Sequence, residues 1–307
     1  MPPPKLIVIL GPTATGKSYL AVILAKKLGG EVISADSRQV YKGLNIGTGK
    51  VTRKEMKGVK HHLLDVISPK KQFSVDRYRT LAEYAISDII SRNKVPILCG
   101  GTGFYIDTVV NGAVFPKVAE NPTLRRKLEK KSAPQLLAML KKLDPKRAKV
   151  IAANNSDRNN PRRLIRAIEV ASEVSLAEVT PAQVSPPHEV LFIGLNVQPD
   201  ELKKRIRARL LKRIKAGMIG EAKSLHEKGL SWKRMEQLGL EYRYLALLLQ
   251  GKIMRDEMIE KLDMEIRRYA KRQMTWFKRN KRITWFDPKN TSAIKNLAKN
   301  FLTALHK

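Results

Sequence analysis

The chain has 307 residues, 43% apolar and 29% charged, which suffices for one large core or a main core with a smaller companion. Its 60 Lys and Arg against 28 Asp and Glu give a formal net charge of +32, a field that attracts polyanions, nucleic acid foremost. A single cysteine excludes an internal disulfide, five histidines in no ligand-like spacing give no zinc site, and no window approaches the roughly 18 apolar residues of a membrane span, so the cytoplasm is the expected location.

Lys5–Leu10 is a compact run of branched apolar residues and predicts a buried parallel strand. Gly11-Pro12-Thr13-Ala14-Thr15-Gly16-Lys17-Ser18 follows it and fits GxxxxGK[ST]. Lys17–Leu28 then carries Leu20, Leu24 and Leu28 at helical spacing and stops at Gly29-Gly30. Glu31–Ser34, Lys94–Cys99 and Val190–Val197 predict three more strands. Strands alternating with helices predict an α/β class fold, a parallel sheet core flanked by helices.

Residues 116–188 differ in character. Asn121-Pro122, Asp144-Pro145 and Asn160-Pro161 each combine an N-cap residue with Pro at the first helical position, and no strand is evident, so this stretch predicts an inserted helical domain. Pro116 and Pro186-Pro187 suit linkers, which divides the chain into a core of 1–115 and 189–307 around the insertion. Residues 198–282 hold 24 Lys/Arg against 11 Asp/Glu. Leu202, Ile206, Leu210 and Ile214 form an apolar stripe there, beside a basic stripe of Arg205, Arg209 and Arg213. A later helix carries Met258, Leu262, Ile266, Tyr269 and Gln273 along one side.

The motif at 11–18 has a direct chemical reading. Glycines let backbone amides converge on phosphate oxygens, the helix N-terminus adds partial positive charge, Lys17 a full one, and the Ser18 hydroxyl can bind Mg²⁺. An apolar strand ending in Asp, which a hydrolytic relative uses for Mg²⁺, is missing: Val95–Cys99 runs into Gly100-Gly101-Thr102, and Leu63-Leu64-Asp65 is a weak match. A transferase or kinase is therefore favoured over a motor ATPase. Asp36 follows the second strand and is expected at the same sheet edge, as a general base or as a capping group. Gly100-Gly101-Thr102-Gly103 reaches that edge too. His61-His62 and Trp276-Phe277 are read as structural.

GPTATGKS at 11–18, ISADSRQVYKGLNIGTGK at 33–50, HHLLD at 61–65, CGGTGFY at 99–105, NNPRRLIRAIEV at 159–170 and AKRQMTWF at 270–277 occur in this order. From about residue 5 to 286 the chain resembles the tRNA dimethylallyltransferase family, the bacterial tRNA isopentenyltransferases. The resemblance implies a channel entered by dimethylallyl diphosphate from one side and the adenine 3′ of the tRNA anticodon from the other. It implies that Gly11, Pro12, Thr13, Ala14, Thr15, Gly16, Lys17 and Ser18 hold the diphosphate, with Mg²⁺ on Ser18. Asp36 would be the base for the adenine amine, Arg209 would assist the diphosphate, and Lys17 and Thr102 would be the other catalytic residues. The tRNA anticodon stem-loop would touch Asp36, Ser37, Arg38, Gln39, Thr102, Arg125, Arg162, Arg163, Leu164, Ile165 and Arg166. A monomer is expected. Two departures stand out: 237–243 reads QLGLEYR, where the family has a Gly-Tyr-Arg/Lys element, and the zinc-finger tail of eukaryotic relatives is not seen. Transfer to free adenine nucleotides, a P-loop kinase and a non-enzymatic RNA-binding module are the rival readings.

Overall fold

The structure, a computed structural model, describes residues 3–112, 116, 118–173 and 187–304. By its contacts the chain divides into two compact units, Met1–Ala113 with Ser185–Lys307, and Val114–Val184.

The larger unit is built on six strands: β1 Lys5–Leu10, β2 Gly30–Ala35, β3 His61–His62, β4 Val95–Gly100, β5 Glu189–Leu195 and β6 Thr284–Phe286. They pair in the order β3-β2-β4-β1-β5-β6, all parallel. The four predicted strands stand within about two residues of their expected ends, and the parallel α/β layer is as expected. The two additional strands are edge strands of two and three residues.

In β1, Leu6, Val8 and Leu10 point to one face and meet Tyr78, Ala82, Ile86 and Ile89 of helix Val75–Ser91. Ile7 and Ile9 point to the other, against Leu20 and Leu24 of helix Lys17–Leu28 and Ile294 and Ala298 of helix Thr291–Thr303. A strand covered on both faces reads as an unbroken apolar run, which is why KLIVIL was legible. A second cluster joins Ile206, Leu210 and Ile214 of helix Pro199–Lys215 to Met258, Leu262 and Ile266 of helix Arg255–Phe277. Val40, Tyr41 and Leu44, from the chain after β2, pack into the same cluster.

The smaller unit is helical. Helices Pro122–Leu128, Ala133–Leu143, Pro145–Ala153 and Pro161–Glu173 close a core around Leu128, Leu136, Leu140, Leu164 and Ile168. The Asn-Pro and Asp-Pro signals mark real helix starts: the Asn121 side chain accepts from Leu124 N at 3.0 Å and Asp144 from Arg147 N at 2.9 Å. Pro186, part of the second expected linker, lies outside the described residues.

Two of the expected tRNA contacts need correction here. Leu164 and Ile165 are buried in this unit's own core at 0% and 6% exposure, so their side chains support the helix rather than meet a ligand. The arginines around them differ in kind. Arg125 donates to the fully buried Glu169 at 2.7 Å through both Nε and Nη2 and pairs with Glu120, while Arg166 donates to Val118 O at 2.8 Å. Arg163 pairs with Asp157, and Arg162 is exposed.

Candidate active site

The phosphate loop leaves β1 through Gly11, whose φ of 137° is a backbone shape that favours glycine, and a Cβ there would collide with the Leu195 carbonyl on β5. Gly16, at φ 89°, starts helix Lys17–Leu28 from a left-handed conformation. Between them the loop closes on itself: the Thr15 hydroxyl donates to Pro12 O at 2.9 Å and Lys17 Nζ to the same oxygen at 2.5 Å. Burial lowers the Lys17 ammonium to about 8; Cys99 and Asp36 oppose the shift and Arg209 adds to it. Ser18 is exposed in the first helical turn.

Asp36 stands directly after β2. Its Oδ1 accepts from Arg38 N at 2.8 Å and Gln39 N at 3.3 Å, a local turn that fixes the carboxylate. Because Ala35 pairs with Gly100, the ends of β2 and β4 lie side by side. Thr102 ties them: its amide donates to Ala35 O at 3.1 Å and its hydroxyl accepts from Ser37 N at 3.1 Å. Sheet topology thus brings the phosphate loop, Asp36 and the Gly-rich turn to one edge, the edge where parallel sheets bind ligands.

Arg209 and Arg213 of helix Pro199–Lys215 complete the site. Arg209 donates through Nη1 to the Thr13 hydroxyl at 3.1 Å and through Nη2 to Gly49 O at 3.2 Å. Arg213 donates to Gly47 O at 2.6 Å and pairs with Glu241 at 3.0 Å. Burial, then the neighbouring Arg213, lowers the Arg209 guanidinium below its ordinary range. The loop carrying these carbonyls is gripped from behind. The Glu221 carboxylate accepts from the amides of Asn45, Ile46 and Gly47 at 2.7–3.0 Å and from the Tyr242 hydroxyl at 2.7 Å. Lys50 closes the loop on Tyr41 O at 2.8 Å and on Asp65 at 2.6 Å.

A cavity of about 370 Å³ opens among these groups, lined by Thr13, Asp36, Ser37, Arg38, Arg209 and Tyr269 together with residues of 239–244. Of the expected site residues, Thr13, Asp36, Ser37, Arg38 and Arg209 share this wall, while Gln39 and Thr102 brace it through hydrogen bonds. The Thr13 amide is not free for phosphate, because it donates to Gln273 Oε1 at 2.9 Å; Thr13 offers its hydroxyl. Arg125 and Arg162–Arg166 belong to the other unit. The divergent segment 237–243 is not remote: Gly239, Leu240, Glu241 and Arg243 line the cavity.

Asp65 is engaged by Lys50, and His62 Nε2 donates at 2.7 Å to the Glu31 carboxylate, which also accepts from Arg92 and Lys94. Trp276 donates to Asp107 Oδ2 at 2.8 Å and Phe277 is buried, so both are structural as expected. Sequence reasoning missed Gln273, Glu221 and Tyr242. The one available signal was the placing of a polar Gln273 on an otherwise apolar helix stripe.

A parallel α/β sheet with a phosphate loop at the end of a central strand, and a fixed carboxylate on the same cavity wall, defines an enzyme that handles a diphosphate group beside a base. Residues 39–280 match the family model described as IPP transferase. The chain is 43% identical over 287 residues to tRNA dimethylallyltransferase 2 of Trichlorobacter lovleyi, covering 92% of each. It is 45% identical over 278 residues to tRNA dimethylallyltransferase 2 of Treponema denticola, covering 89% of this chain and 91% of that one. Among solved structures it is similar to the tRNA isopentenylpyrophosphate transferase of Bacillus halodurans, with TM-score 0.73 and 38% identity over 97% of this chain and 96% of that one. A eukaryotic dimethylallyltransferase acting on tRNA gives TM-score 0.81 at 28% identity, over 98% of this chain and 80% of that one. The chain belongs to the IPP transferase family.

Proposed function

We propose that this protein is a tRNA dimethylallyltransferase. It transfers the dimethylallyl group of dimethylallyl diphosphate to the exocyclic amine of the adenine 3′ of the anticodon, releasing diphosphate. The observation that carries this reading is the single cavity whose wall holds both the Thr13–Arg209 pair of the phosphate loop and the Asp36 carboxylate.

The adenine amine is a weak nucleophile because its lone pair is delocalised into the ring. As the new carbon–nitrogen bond forms, the allylic carbon–oxygen bond breaks, its electron pair leaves with diphosphate, and the amine proton passes to Asp36. Oδ1 of Asp36 is taken up by the turn amides, so Oδ2 is the oxygen with capacity for that proton. Charge developing on the leaving diphosphate meets the loop amides, Lys17 and Arg209, donors already held in place before the reaction. A Mg²⁺ ion accompanying the diphosphate would supply further positive charge there. The Ser18 hydroxyl, exposed in the first helical turn after the loop, would be a protein ligand for it. An adenine in a folded anticodon loop reaches the cavity by flipping out of its stack.

Incubation with labelled dimethylallyl diphosphate, Mg²⁺ and unmodified tRNA, followed by mapping of the labelled nucleoside, tests the proposal. Label on the adenine 3′ of the anticodon is expected. Equal labelling of free AMP, or ATP turnover with neither acceptor, would replace this function by one of its rivals.

A further inference from the structure

Helix Arg255–Phe277 presents Met258, Leu262, Ile266 and Ala270 to the core in an unbroken apolar stripe, and the next position on that stripe is Gln273. The residue is 6% exposed, and both ends of its side-chain amide are used. Oε1 accepts from the backbone amide of Thr13 at 2.9 Å, and Nε2 donates to the backbone carbonyl of Gly101 at 2.8 Å. The orientation is therefore fixed: turned over, the amide would set donor against donor and acceptor against acceptor. The fit is close as well, since a Cβ on Gly101 would collide with Nε2.

Thr13 belongs to the phosphate loop, and its hydroxyl holds Arg209. Gly101 begins the turn after β4, where the next residue, Thr102, binds Ala35 O and Ser37 N on either side of Asp36. An unbroken path of hydrogen bonds and single peptide links thus runs from the donor loop through one side chain to the turn that carries the carboxylate.

We propose that Gln273 is a positioning residue that couples the phosphate loop to the Asp36 turn, so that occupancy of the diphosphate site orders the acceptor side. A side chain of this size with one acceptor and one donor is what the two backbone groups require. An apolar replacement leaves both unpaired in the interior, and a carboxylate satisfies only Thr13. The carboxyl partner in this coupling rests on the transfer reading above; the coupling itself does not.

The test compares full-length wild type with Gln273→Met and Gln273→Glu by hydrogen exchange, with and without inorganic diphosphate and Mg²⁺. In wild type, diphosphate slows exchange across 14–18 and also across 36–39 and 101–103. In Gln273→Met, protection stays confined to 14–18. Gln273→Glu keeps the Thr13 end and the size of the side chain, so it serves if the Met variant folds poorly, with protection again lost at 101–103. The same protection pattern in wild type and variants would overturn the proposal. With tRNA as acceptor, both variants should lose about a hundredfold in kcat, while KM for tRNA stays within about threefold. Wild-type kcat in a variant assayed well below its melting temperature would also overturn it. A wild-type protein that leaves tRNA unlabelled refutes the transfer reading, and the exchange pattern still decides the role of Gln273.

Discussion

One oxygen of Asp36 is committed to the amides of Arg38 and Gln39, which makes Asn an informative replacement. Asn offers the same carbonyl acceptor to that turn and cannot take a proton. Asp36→Asn should keep its fold and its tRNA affinity while losing transfer by at least about a hundredfold, read as single-turnover kinetics beside a binding titration. Lys17 carries a pH signature of its own. With its ammonium lowered to about 8, its positive charge is lost as pH rises through that value, so inorganic diphosphate should bind progressively more weakly above it. Stability runs the other way: between about 8 and the ordinary 10.5 the unfolded chain holds more protons than the folded one, so this group makes stability rise with pH across that window. Calorimetric titration and thermal melting across the window should show the opposed slopes, and Lys17→Met should remove this contribution from both. Asp36 and Lys17 stand out in the sequence because each lies in a motif whose chemistry dictates its residue type, and the structure places both at the same sheet edge. Leu164 and Ile165 were misplaced for a related reason. A run of five consecutive residues was carried over as a contact surface, yet a helix turns its successive side chains through the core as well as towards solvent.

At the scale of elements, the stretch after β2 is the clearest case of sequence specificity serving geometry. The Asn45–Gly47 amides converge on Glu221 from a helix some 175 residues away, and the Gly47 and Gly49 carbonyls receive Arg213 and Arg209. Glycine at 47 is required by proximity, since a Cβ would press on the Tyr242 ring. Glu221→Gln keeps the volume and removes the charge from four hydrogen bonds, three from backbone amides and one from the Tyr242 hydroxyl. It should lower the melting temperature and weaken diphosphate binding about tenfold, or about 1.4 kcal/mol, by loosening the carbonyls that seat Arg209. Calorimetry on the purified variant measures both. No local pattern announces Glu221, because its partners are backbone groups distant in sequence. The edge strands His61–His62 and Thr284–Phe286 escaped for a complementary reason: two or three residues are too few for any period to show, and their strand character comes from the neighbour they pair with. The central strands and the Pro-led helix starts were legible because burial on two faces and capping chemistry act within a few residues.

For the whole molecule, the formal charge of +32 sets the terms of the encounter with RNA. The logarithm of tRNA affinity should fall linearly with the logarithm of salt concentration, with a slope that Asp36→Asn leaves unchanged, since phosphate contacts and proton transfer are separate functions. Filter binding across a salt series measures it, and a flat response would reduce the basic faces to solvated surface. No helix among the described residues is long and apolar enough to cross a membrane. The α/β class and the helical insertion were readable from strand and helix alternation, whereas the closing of the site by Arg209, Glu241 and Gln273 depends on tertiary packing of the later helices against the first fifty residues.

The register of the sheet also governs how the chain reaches this shape during synthesis. β1, at residues 5–10, lies between β4 and β5 and must wait for residues 95–100 and then 189–195 to emerge before both of its edges are paired. The helices of 122–173, which share a core of their own, come off the ribosome in that interval. At roughly 5–20 residues per second, the most apolar strand of the protein passes on the order of ten seconds or more with an open flank, the period in which a nascent chain depends most on chaperones.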